Sequence, residues 1–544
     1  MSDPVRLKVL SSTDSDWSSS NHEVVIGKDI LELLSTSMYI DPMTVYREYV
    51  QNAADSIDEA RADGTLPASG GRVQVSIDAN LRVIRIRDDG NSLPWTEFVQ
   101  RLSSLGASRK RGTPARGFRG VGRLAGLGYC QELIFRGRVE EENLISELRW
   151  DGRMLKSMLR APDHSKNLRA LVKDVVTVRQ VKAKDEPKRF FEVELRGIIR
   201  HRDDRLVNEA AVGEYLSQVA PVPFSPDFEF GKEITAALKP HVRLGQVAIH
   251  INNASGPLYR PHLDCIKVDG KTEAAFKAME ILELSGTDGG IAAIGWVLHH
   301  EYNGALSNRT LVKGLRLRSG NIQVGENAVL ESLFPEPRFN SWAVGEVHIV
   351  DPKILANGRR DNFEQSVHLD NVLNQIAPAA REIARRCRLS SISRKWQREF
   401  DLHKDTALER AKTVSRGGIT RAARQIETDA ALKSLNAMKK VLVTRHLDEA
   451  MRESLAGKAE TAETRVQKLL GEGAAQSDPL AALPSPKRAA YKHIISLIYE
   501  CSANRVAASA LVDRLLARLS DETTPKAKNR APGKPNAERG RKHR

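Results

Sequence analysis

The segment formed by residues 44–61 constrains the fold more than any other part of the sequence. At helical spacing its apolar residues share one side and form a stripe that has to be buried against a second layer. This stripe consists of Tyr46, Val50, Ala53, Ile57 and Ala60. Two runs with strand-like alternation, residues 72–77 and 81–87, follow the helix. A helix followed directly by strands predicts a mixed α/β domain.

The chain is too long for a single core, because its 544 residues exceed what one domain normally contains. Changes in pattern along the sequence predict five regions. They are a disordered N-terminus (1–23), a first α/β domain (24–205), a second α/β domain (206–385), a helical region (386–520) and a disordered basic tail (521–544).

Local patterns support these divisions. A strand is predicted at residues 191–195 in the first α/β region, and others at 247–251, 291–298 and 347–350 in the second. From about Ser390 the chain is rich in Ala, Arg, Lys, Glu and Leu at helical spacing, interrupted by Gly417 and Gly418. A helical region of this kind is typical of oligomerisation or partner docking, or simply forms long solvated helices.

The net charge of +15 favours an acidic partner, nucleic acid among them. Part of this charge lies from Asp521 onward, where eight Lys or Arg stand against three acidic residues. Such a tail contacts nucleic acid or is merely solvated. The four cysteines are far apart, and no run of about 18 apolar residues or secretory signal occurs. We therefore expect a cytoplasmic protein without membrane contact.

The polar side of the first helix carries the first candidate chemistry. Glu48, Asn52 and Asp55 are spaced i, i+4 and i+7, so they lie on one face. This face either lines a site or is simply exposed to solvent.

The second strand ends in a carboxylate. Ile84, Ile86 and Asp88 share strand parity, so Asp88 points into the core if the isoleucines do. A buried carboxylate needs a hydrogen-bond donor, and the exocyclic amine of adenine is a suitable one. Gly90 then permits a backbone or a ligand to approach closely. The alternative is an ordinary Asp-Asp-Gly surface turn.

A glycine-rich run follows, containing Gly117, Gly120, Gly122, Gly126 and Gly128. Backbone N–H groups in such a run can converge on an anion, and a following helix N-terminus adds a favourable dipole. The run is not a Walker motif, because GxxxxGK[ST] does not occur. The basic cluster at residues 108–111 lies just upstream, where it contacts phosphate or remains a solvated charge run.

Together, ExxxNAxD on a helix, DxG after a strand and a later GxxGxG resemble the GHKL ATPases. This superfamily joins gyrase B, the ninety-kilodalton heat-shock chaperones, histidine kinases and MutL. STSMYIDPMTVYREYVQNAADSID looks most like the heat-shock chaperone branch, whereas GASRK followed by GFRG looks more like MutL. The resemblance covers about residues 24–200 and implies a Bergerat-type α/β sandwich that binds ATP with Mg²⁺.

The resemblance implies a role for each matching residue. Glu48 would be the general base that activates water, and Asn52 would hold Mg²⁺. Asp55 would support the nucleotide end of the helix. Asp88 would bind adenine, with Gly90 allowing close approach and Leu93 packing against the base. The phosphate-binding lid would consist of Gly117, Gly120 and Gly122, with Arg109 at the position of the family's lid lysine.

Two positions depart from the family pattern: Ser92 replaces a glycine, and the strand FFEVELRG lacks the usual threonine. In the second domain, DPKILANGRRDNFE looks like the chaperone loop that sends an arginine to the γ-phosphate. We expect Arg360 to fill this role, with Arg359 as second choice, because an arginine there stabilises charge during phosphoryl transfer. The alternative is a basic surface turn.

The leading functional hypothesis is an ATP-operated clamp, acting as a homodimer on protein clients or on nucleic acid, as in genome maintenance or defence. One alternative is a histidine kinase, although the ATPase module precedes any phosphoacceptor helix and Glu48 suits water activation. Another is a scaffold that binds ATP without hydrolysing it.

Overall fold

A computed structural model describes residues 7–10, 17–20, 41–104, 122–160, 168–201, 203–268, 272–445, 447–475 and 478–523. The predicted lid residues Arg109, Gly117 and Gly120 and the tail from residue 524 lie outside this part. Two short strands near the N-terminus, β1 (Leu7–Leu10) and β2 (Trp17–Ser20), pair antiparallel. The chain divides into two compact units, Met1–Cys387 and Arg388–Arg544.

The first unit contains a seven-stranded sheet with the strand order β7-β6-β5-β8-β4-β3-β9. All neighbouring strands are antiparallel except β3 and β9, which are parallel. The elements of this part are α1 (Thr44–Ala62), β3 (Arg72–Asp78), β4 (Val83–Asp88), α2 (Trp95–Ser103), a 3₁₀ segment (Gly122–Gly128), β5 (Glu132–Arg138), β6 (Leu144–Asp151), α3 (Gly152–Arg160), α4 (Leu168–Val175), β7 (Val176–Lys182), β8 (Phe190–Arg196), α5 (Glu209–Val219), α6 (Gly231–Leu238) and β9 (Ala248–Ile251).

Helix α1 packs lengthwise on one face of this sheet. The five residues of its predicted apolar stripe are all buried, which confirms the periodicity argument. They join a core with the inward-facing side chains of the strands, among them Val75, Ile86, Phe135 and Val193. Burial of a large aliphatic side chain contributes about 1.5–3 kcal/mol, so this stripe fixes the helix firmly on the sheet.

The opposite face of the sheet carries charge instead of apolar side chains. Arginines and glutamates alternate across neighbouring strands, as in the pairs Arg85–Glu194 (2.9 Å) and Arg87–Glu192 (2.7 Å). The carboxylates of Glu192 and Glu194 are buried beneath the arginine side chains. Each buried carboxylate thereby has a charged partner, as burial requires.

Strand β9 completes the first sheet, although it lies beyond the predicted end of the first domain. The strand expected at residues 247–251 exists, and Arg72 of β3 aligns with Ala248. Helix α5 also contributes Val212 and Leu216 to the first core. Residues well past Arg205 therefore belong to the packing of this sheet.

A five-stranded sheet follows, with the strand order β12-β13-β16-β14-β15. One of its faces packs on the start of the long helix α7 (Val367–Arg416), and the other packs on α6 and neighbouring loops. The strands expected at 291–298 and 347–350 lie within this sheet. Its elements, with a preceding hairpin, are β10 (Cys265–Val268), β11 (Thr272–Ala275), β12 (Ala278–Ser285), β13 (Ile291–His299), β14 (Gly314–Ser319), β15 (Ile322–Val324) and β16 (Val344–Ile349).

The C-terminal part is helical, as predicted. Gly417 and Gly418 both have positive φ (69° and 70°), which ends α7 and lets α8 turn back. Thr420 then caps α8, because its hydroxyl accepts a hydrogen bond from the amide of Ala423 (3.2 Å). The helices are α7 (Val367–Arg416), α8 (Arg421–Leu442), α9 (Glu449–Ala475), α10 (Ser485–Cys501) and α11 (Arg505–Thr523).

The whole chain is thus a mixed α/β protein with a helical C-terminal region. In the part of the chain that the structure describes, no helix combines the length and apolar character needed to cross a membrane.

Candidate functional site

The polar face of α1 is buried together with its apolar face. Glu48 is 6% exposed and Asp55 is 3% exposed, whereas Asn52, one turn after Glu48, is half-buried. The alternative that this face is simply solvated is therefore wrong for both carboxylates. Burying a carboxylate is costly, so its surroundings in the fold need an explanation.

Asp88 lies at the end of β4, facing α1. It is 4% exposed, and Ile84 and Ile86 are buried with it, as strand parity predicted. One carboxylate oxygen accepts hydrogen bonds from the Ser56 hydroxyl (3.0 Å) and from the Gly90 amide (3.0 Å). These internal bonds fix the orientation of the carboxylate next to α1.

Gly90 is required by the protein's own backbone. A Cβ at this position would lie 2.4 Å from the Ser56 hydroxyl oxygen and 2.7 Å from the backbone nitrogen of Ile57. The loop after β4 is therefore pressed against α1, and the close approach predicted for Gly90 is an approach to a helix. Of the two options that the sequence left open, backbone or ligand, the structure contains the first.

Gly122, the one predicted lid glycine within the described residues, lies against the candidate base. A Cβ at Gly122 would be 2.3 Å from one carboxylate oxygen of Glu48. In the same 3₁₀ segment, the amide of Gly126 donates to the Tyr49 hydroxyl (2.9 Å), which in turn donates to the carbonyl of Arg123 (3.0 Å). The segment is thereby fastened to α1 beside Glu48.

Two arginines flank the Glu48 carboxylate. Arg47 Nη2 and Arg360 Nε each lie 3.5 Å from Glu48 Oε1. Nevertheless, no described residue donates a hydrogen bond to this buried oxygen. A buried oxygen with charged neighbours but without a hydrogen bond is uncommon and is typical of functional positions.

Arg360 belongs to a tight hairpin loop of the second domain. Its backbone has φ of +56°, a left-handed conformation that non-glycine residues rarely adopt. Its guanidinium donates to the Gln51 side chain, and its carbonyl accepts from the Gly325 amide (2.9 Å). Such strain is retained where the surroundings enforce it, and it is concentrated at functional sites.

Arg359, the second choice for the γ-phosphate contact, is exposed at the surface. Only its carbonyl has a described contact with α1, where it accepts a hydrogen bond from Arg47 Nη2 (2.9 Å). Arg47 also donates to the carbonyl of Arg360 (3.4 Å). The structure thus brings the side chain of Arg360, and only the backbone of Arg359, to Glu48.

The loop after β4 contains Ser92, the position at which the sequence departs from the family pattern. Leu93 is half-buried and packs on the first core. The Ser92 hydroxyl is buried, and nothing in the described ranges forms a hydrogen bond with it. It lies near β5, since a Cβ on Gly137 would be 2.5 Å from its oxygen.

Three residues near the site escaped the sequence argument: Arg47, Gln51 and Ser56. Ser56 supplies a hydroxyl that donates to the Asp88 carboxylate. Its spacing of i+4 from Asn52 was a usable signal, because it places Ser56 on the same helical face. The roles of Arg47 and Gln51 depend on contacts with the second domain, for which the sequence contains no local signal.

A protein-built metal centre is not evident. Among the described residues, no group of three or more His, Cys, Asp or Glu could hold a metal ion. The implied Mg²⁺ ligand, Asn52, offers a single amide oxygen next to Glu48. This donor set suits an ion held mostly by phosphate oxygens and water.

Part of the chain is similar to chaperone proteins named HtpG. The protein of Psychromonas ingrahamii is 35% identical over 85 residues, which is 14% of this chain and 13% of the relative. Those of Legionella pneumophila and Chlorobium phaeovibrioides are 26% and 29% identical over 148 and 126 residues. The similarity spans less than a quarter of each relative's length. No protein-family model matches the chain.

Proposed function

We propose that this protein binds and hydrolyses ATP and uses the cycle to operate a clamp. The observation that supports this most is the close approach of Glu48 on helix α1 and Arg360 in a loop of the second domain, within one compact unit. A buried acid beside an arginine supplied by another domain has the arrangement expected for γ-phosphate transfer to water. The partial similarity to HtpG chaperones is consistent with it.

Each residue of the site then has a specific task. Glu48 Oε1, which accepts no hydrogen bond from the described residues, would orient and deprotonate the attacking water. Asn52 would hold Mg²⁺, which would neutralise phosphate charge when bound, and Asp55 would support that end of the helix. Asp88, held by Ser56 and Gly90, would accept a hydrogen bond from adenine. Bound ATP supplies the phosphoryl group.

The arrangement of Arg360 suggests how ATP would move the second domain. Its guanidinium contacts Gln51 and lies beside Glu48. To contact a γ-phosphate it has to exchange these partners for phosphate oxygens, and this exchange releases Glu48 at the same time. Nucleotide binding and domain movement would thereby be coupled, because a ligand shifts the equilibrium by its differential affinity for the two states.

The molecule that the clamp would hold is either a protein client or nucleic acid. The similarity to chaperone proteins favours protein clients. We propose that the clamp acts as a homodimer in the cytoplasm. The net charge of +15 favours an additional contact with nucleic acid. DNA binding that weakens with salt and disappears on deletion of residues 523–544 would support the second contact, whereas client protection without DNA binding would favour the first.

ATP turnover by a Glu48→Ala variant tests the mechanism directly. Removal of a general base lowers turnover about 10²–10⁴-fold, while nucleotide affinity should remain within about twofold. Glu59→Ala is the matched control, because Glu59 lies on the same helix but is exposed. Equal turnover in the wild-type protein and the Glu48 variant would refute the proposed mechanism.

Nucleotide binding by an Asp88→Asn variant tests the adenine contact. The amide oxygen of Asn can still accept from Ser56 and Gly90, so the fold should persist while affinity for ATP is lost. Asp89→Asn is the control, because Asp89 Oδ1 accepts a hydrogen bond from the strand-end amide of Arg72 (2.7 Å) and not from Ser56 or Gly90. Unchanged affinity in the Asp88 variant would show that the adenine assignment is wrong.

A further inference from the structure

The second sheet buries an excess of positive charge on the face that meets α5. Arg260, Arg316 and Arg318 are each at most 5% exposed, and Glu346 is the carboxylate buried among them. Arg260 and Arg318 both pair with Glu346, whereas Arg316 has no described ion pair. A buried guanidinium without a carboxylate has to be satisfied by other acceptors.

Arg316 finds these acceptors on two elements. Its guanidinium donates to the side-chain oxygens of Gln218 (3.2 Å) and Gln323 (3.1 Å), and to carbonyls of the preceding loop. Gln218 lies in the last turn of α5, and Gln323 lies in the middle of β15. The positive charge is favourable at a helix C-terminus because the helix dipole is negative there. Arg316 therefore joins α5 to β15.

Gln323 continues this connection to the candidate catalytic loop. Its amide nitrogen donates to the Gly325 carbonyl (2.9 Å), and the Gly325 amide donates to the carbonyl of Arg360 (2.9 Å). Gly325 has φ of +72°, and a Cβ there would lie 2.7 Å from the carbonyl oxygen of Asp361. The end of β15 is thus pressed directly against the loop that holds Arg360.

The same series of contacts also connects α5 with α1. The Tyr46 hydroxyl donates to the carbonyl of Leu206, just before α5 (2.6 Å). Tyr215 of α5 is half-buried near Arg47 and Glu48, and desolvation raises its pKa to about 12, so it stays neutral there. Helix α5 thereby holds α1 at one end and Arg316 at the other.

We propose that Arg316 and Gln323 are positioning residues that set the distance between Arg360 and Glu48. This inference rests on the proposed ATP hydrolysis. The two residues do not touch the site, but the path α5–Arg316–Gln323–Gly325–Arg360 connects them to it. Misplacement of a catalytic group by about 1 Å can lower turnover about 100-fold, so a small shift of this loop is sufficient to be measured.

A Gln323→Glu variant separates positioning from stability. Glutamate still accepts from Arg316 and adds a negative charge where positive charge is in excess, so the melting temperature should not fall. It cannot donate to the Gly325 carbonyl, so turnover should fall about tenfold with nucleotide Kd unchanged. Gln375→Glu is the control, because Gln375 lies in the same domain but contacts Ser285. Wild-type turnover in a fully stable Gln323→Glu protein would overturn the inference.

Two further measurements keep this test separate from the proposed function. In an Arg360→Ala background, Gln323→Glu should cause no additional loss of turnover, because both changes act through one side chain. Additive losses would contradict the inference. Hydrogen exchange of the Gly325 amide should be faster in Gln323→Glu, and unchanged exchange would also overturn it. If Glu48→Ala leaves turnover intact, the proposed function fails instead, while exchange still reports on the contact.

Discussion

The first unit contains two buried glutamates that are each flanked by two arginines, Glu48 on helix α1 and Glu346 on strand β16, yet the two are bound very differently. Glu346 is 1% exposed, with Arg318 Nε at 2.7 Å, Arg260 in direct contact and His348 at 3.3 Å. Glu48 is 6% exposed, with its arginines at 3.5 Å and no described hydrogen bond to Oε1. The same side-chain types thus form two different arrangements. The Glu346 carboxylate is saturated with hydrogen bonds, whereas Glu48 is unsaturated, because its Oε1 accepts none from the described residues.

The difference indicates what each glutamate does. A saturated buried ion pair specifies how elements fit together, and removal of one partner leaves uncompensated charge. An unsaturated buried carboxylate retains the capacity to bind something else, such as a water molecule next to a phosphate. We therefore expect changes at Glu346 to affect stability, and changes around Glu48 to affect activity.

The largest effect should follow from Glu346→Ala. It leaves Arg260 and Arg318 buried without their carboxylate, which should cost about 3–5 kcal/mol of unfolding free energy. Chemical denaturation of the full chain measures this cost. Glu301→Ala is the control, because its ion pair with Lys277 (2.6 Å) is exposed and contributes about 0–1 kcal/mol. Equal losses in both variants would remove the distinction between the two glutamates.

The second prediction concerns the loss of folding stability at acidic pH. Burial lowers the pKa of His348 to about 4 and that of His262 to about 3, so both are neutral in the fold but bind protons when unfolded. The unfolded chain then binds more protons as pH falls below about 6.5, and stability falls with it. Between pH 6.5 and 5 each histidine should cost on the order of 2 kcal/mol.

Denaturation curves at several pH values check this prediction. His348→Asn should reduce the slope of stability against pH in this window without abolishing it, because burial also lowers the pKa values of His262, His300 and His250. The exposed control His201→Asn should not change the slope. Glu346 contributes in a separate range. Its pKa is held well below the usual value despite burial, because Arg260 and Arg318 face it, so its contribution is lost only at still lower pH. A slope unaffected by His348→Asn would contradict the assignment.

A smaller effect is expected from Gly122→Ala. The new methyl group would displace the Glu48 carboxylate, so turnover should fall about tenfold while the melting temperature stays nearly constant. Gly256→Ala is the control, since no atom lies within 4 Å of the corresponding Cβ. Normal turnover in the Gly122 variant would mean that the observed position of Glu48 is not the active one.

The smallest effect should be that of Glu48→Ala on stability. The cost should be about 1 kcal/mol, less than that of Glu346→Ala, because Arg47 keeps the carbonyls of Arg359 and Arg360 as acceptors and Arg360 keeps Gln51. Thermal melting of both alanine variants side by side makes the comparison. A loss as large as that of Glu346→Ala would show that Glu48 is a structural residue.

Periodicity was sufficient to predict the parts of the fold that depend on local sequence. The buried stripe of α1, the two strands after it and the inward direction of Asp88 follow from spacing alone, and the structure confirms them. The predicted roles of Glu48, Asn52, Asp55, Leu93 and Arg360 remain proposals. Their proximity to one another depends on packing between elements that are distant in sequence.

Other features could not be predicted because tertiary contacts decide them. Helix α7 begins at Val367 rather than near Ser390, and it contains Pro378, which usually ends a helix. Burial of Val372, Ile376 and Ala380 in the second core offsets the lost hydrogen bond. Similarly, nothing local in residues 247–251 indicates which of two sheets this strand joins.

The parallel pairing of β3 with β9 has a consequence for synthesis on the ribosome. Strand β3 is translated long before Ala248–Ile251, so until then its outer edge has backbone N–H and C=O groups without a neighbouring strand. A nascent chain that has emerged only to residue 205 therefore exposes a sheet edge open to wrong pairing. The first sheet matures only after its final strand leaves the exit tunnel, which makes this interval the vulnerable stage of biogenesis.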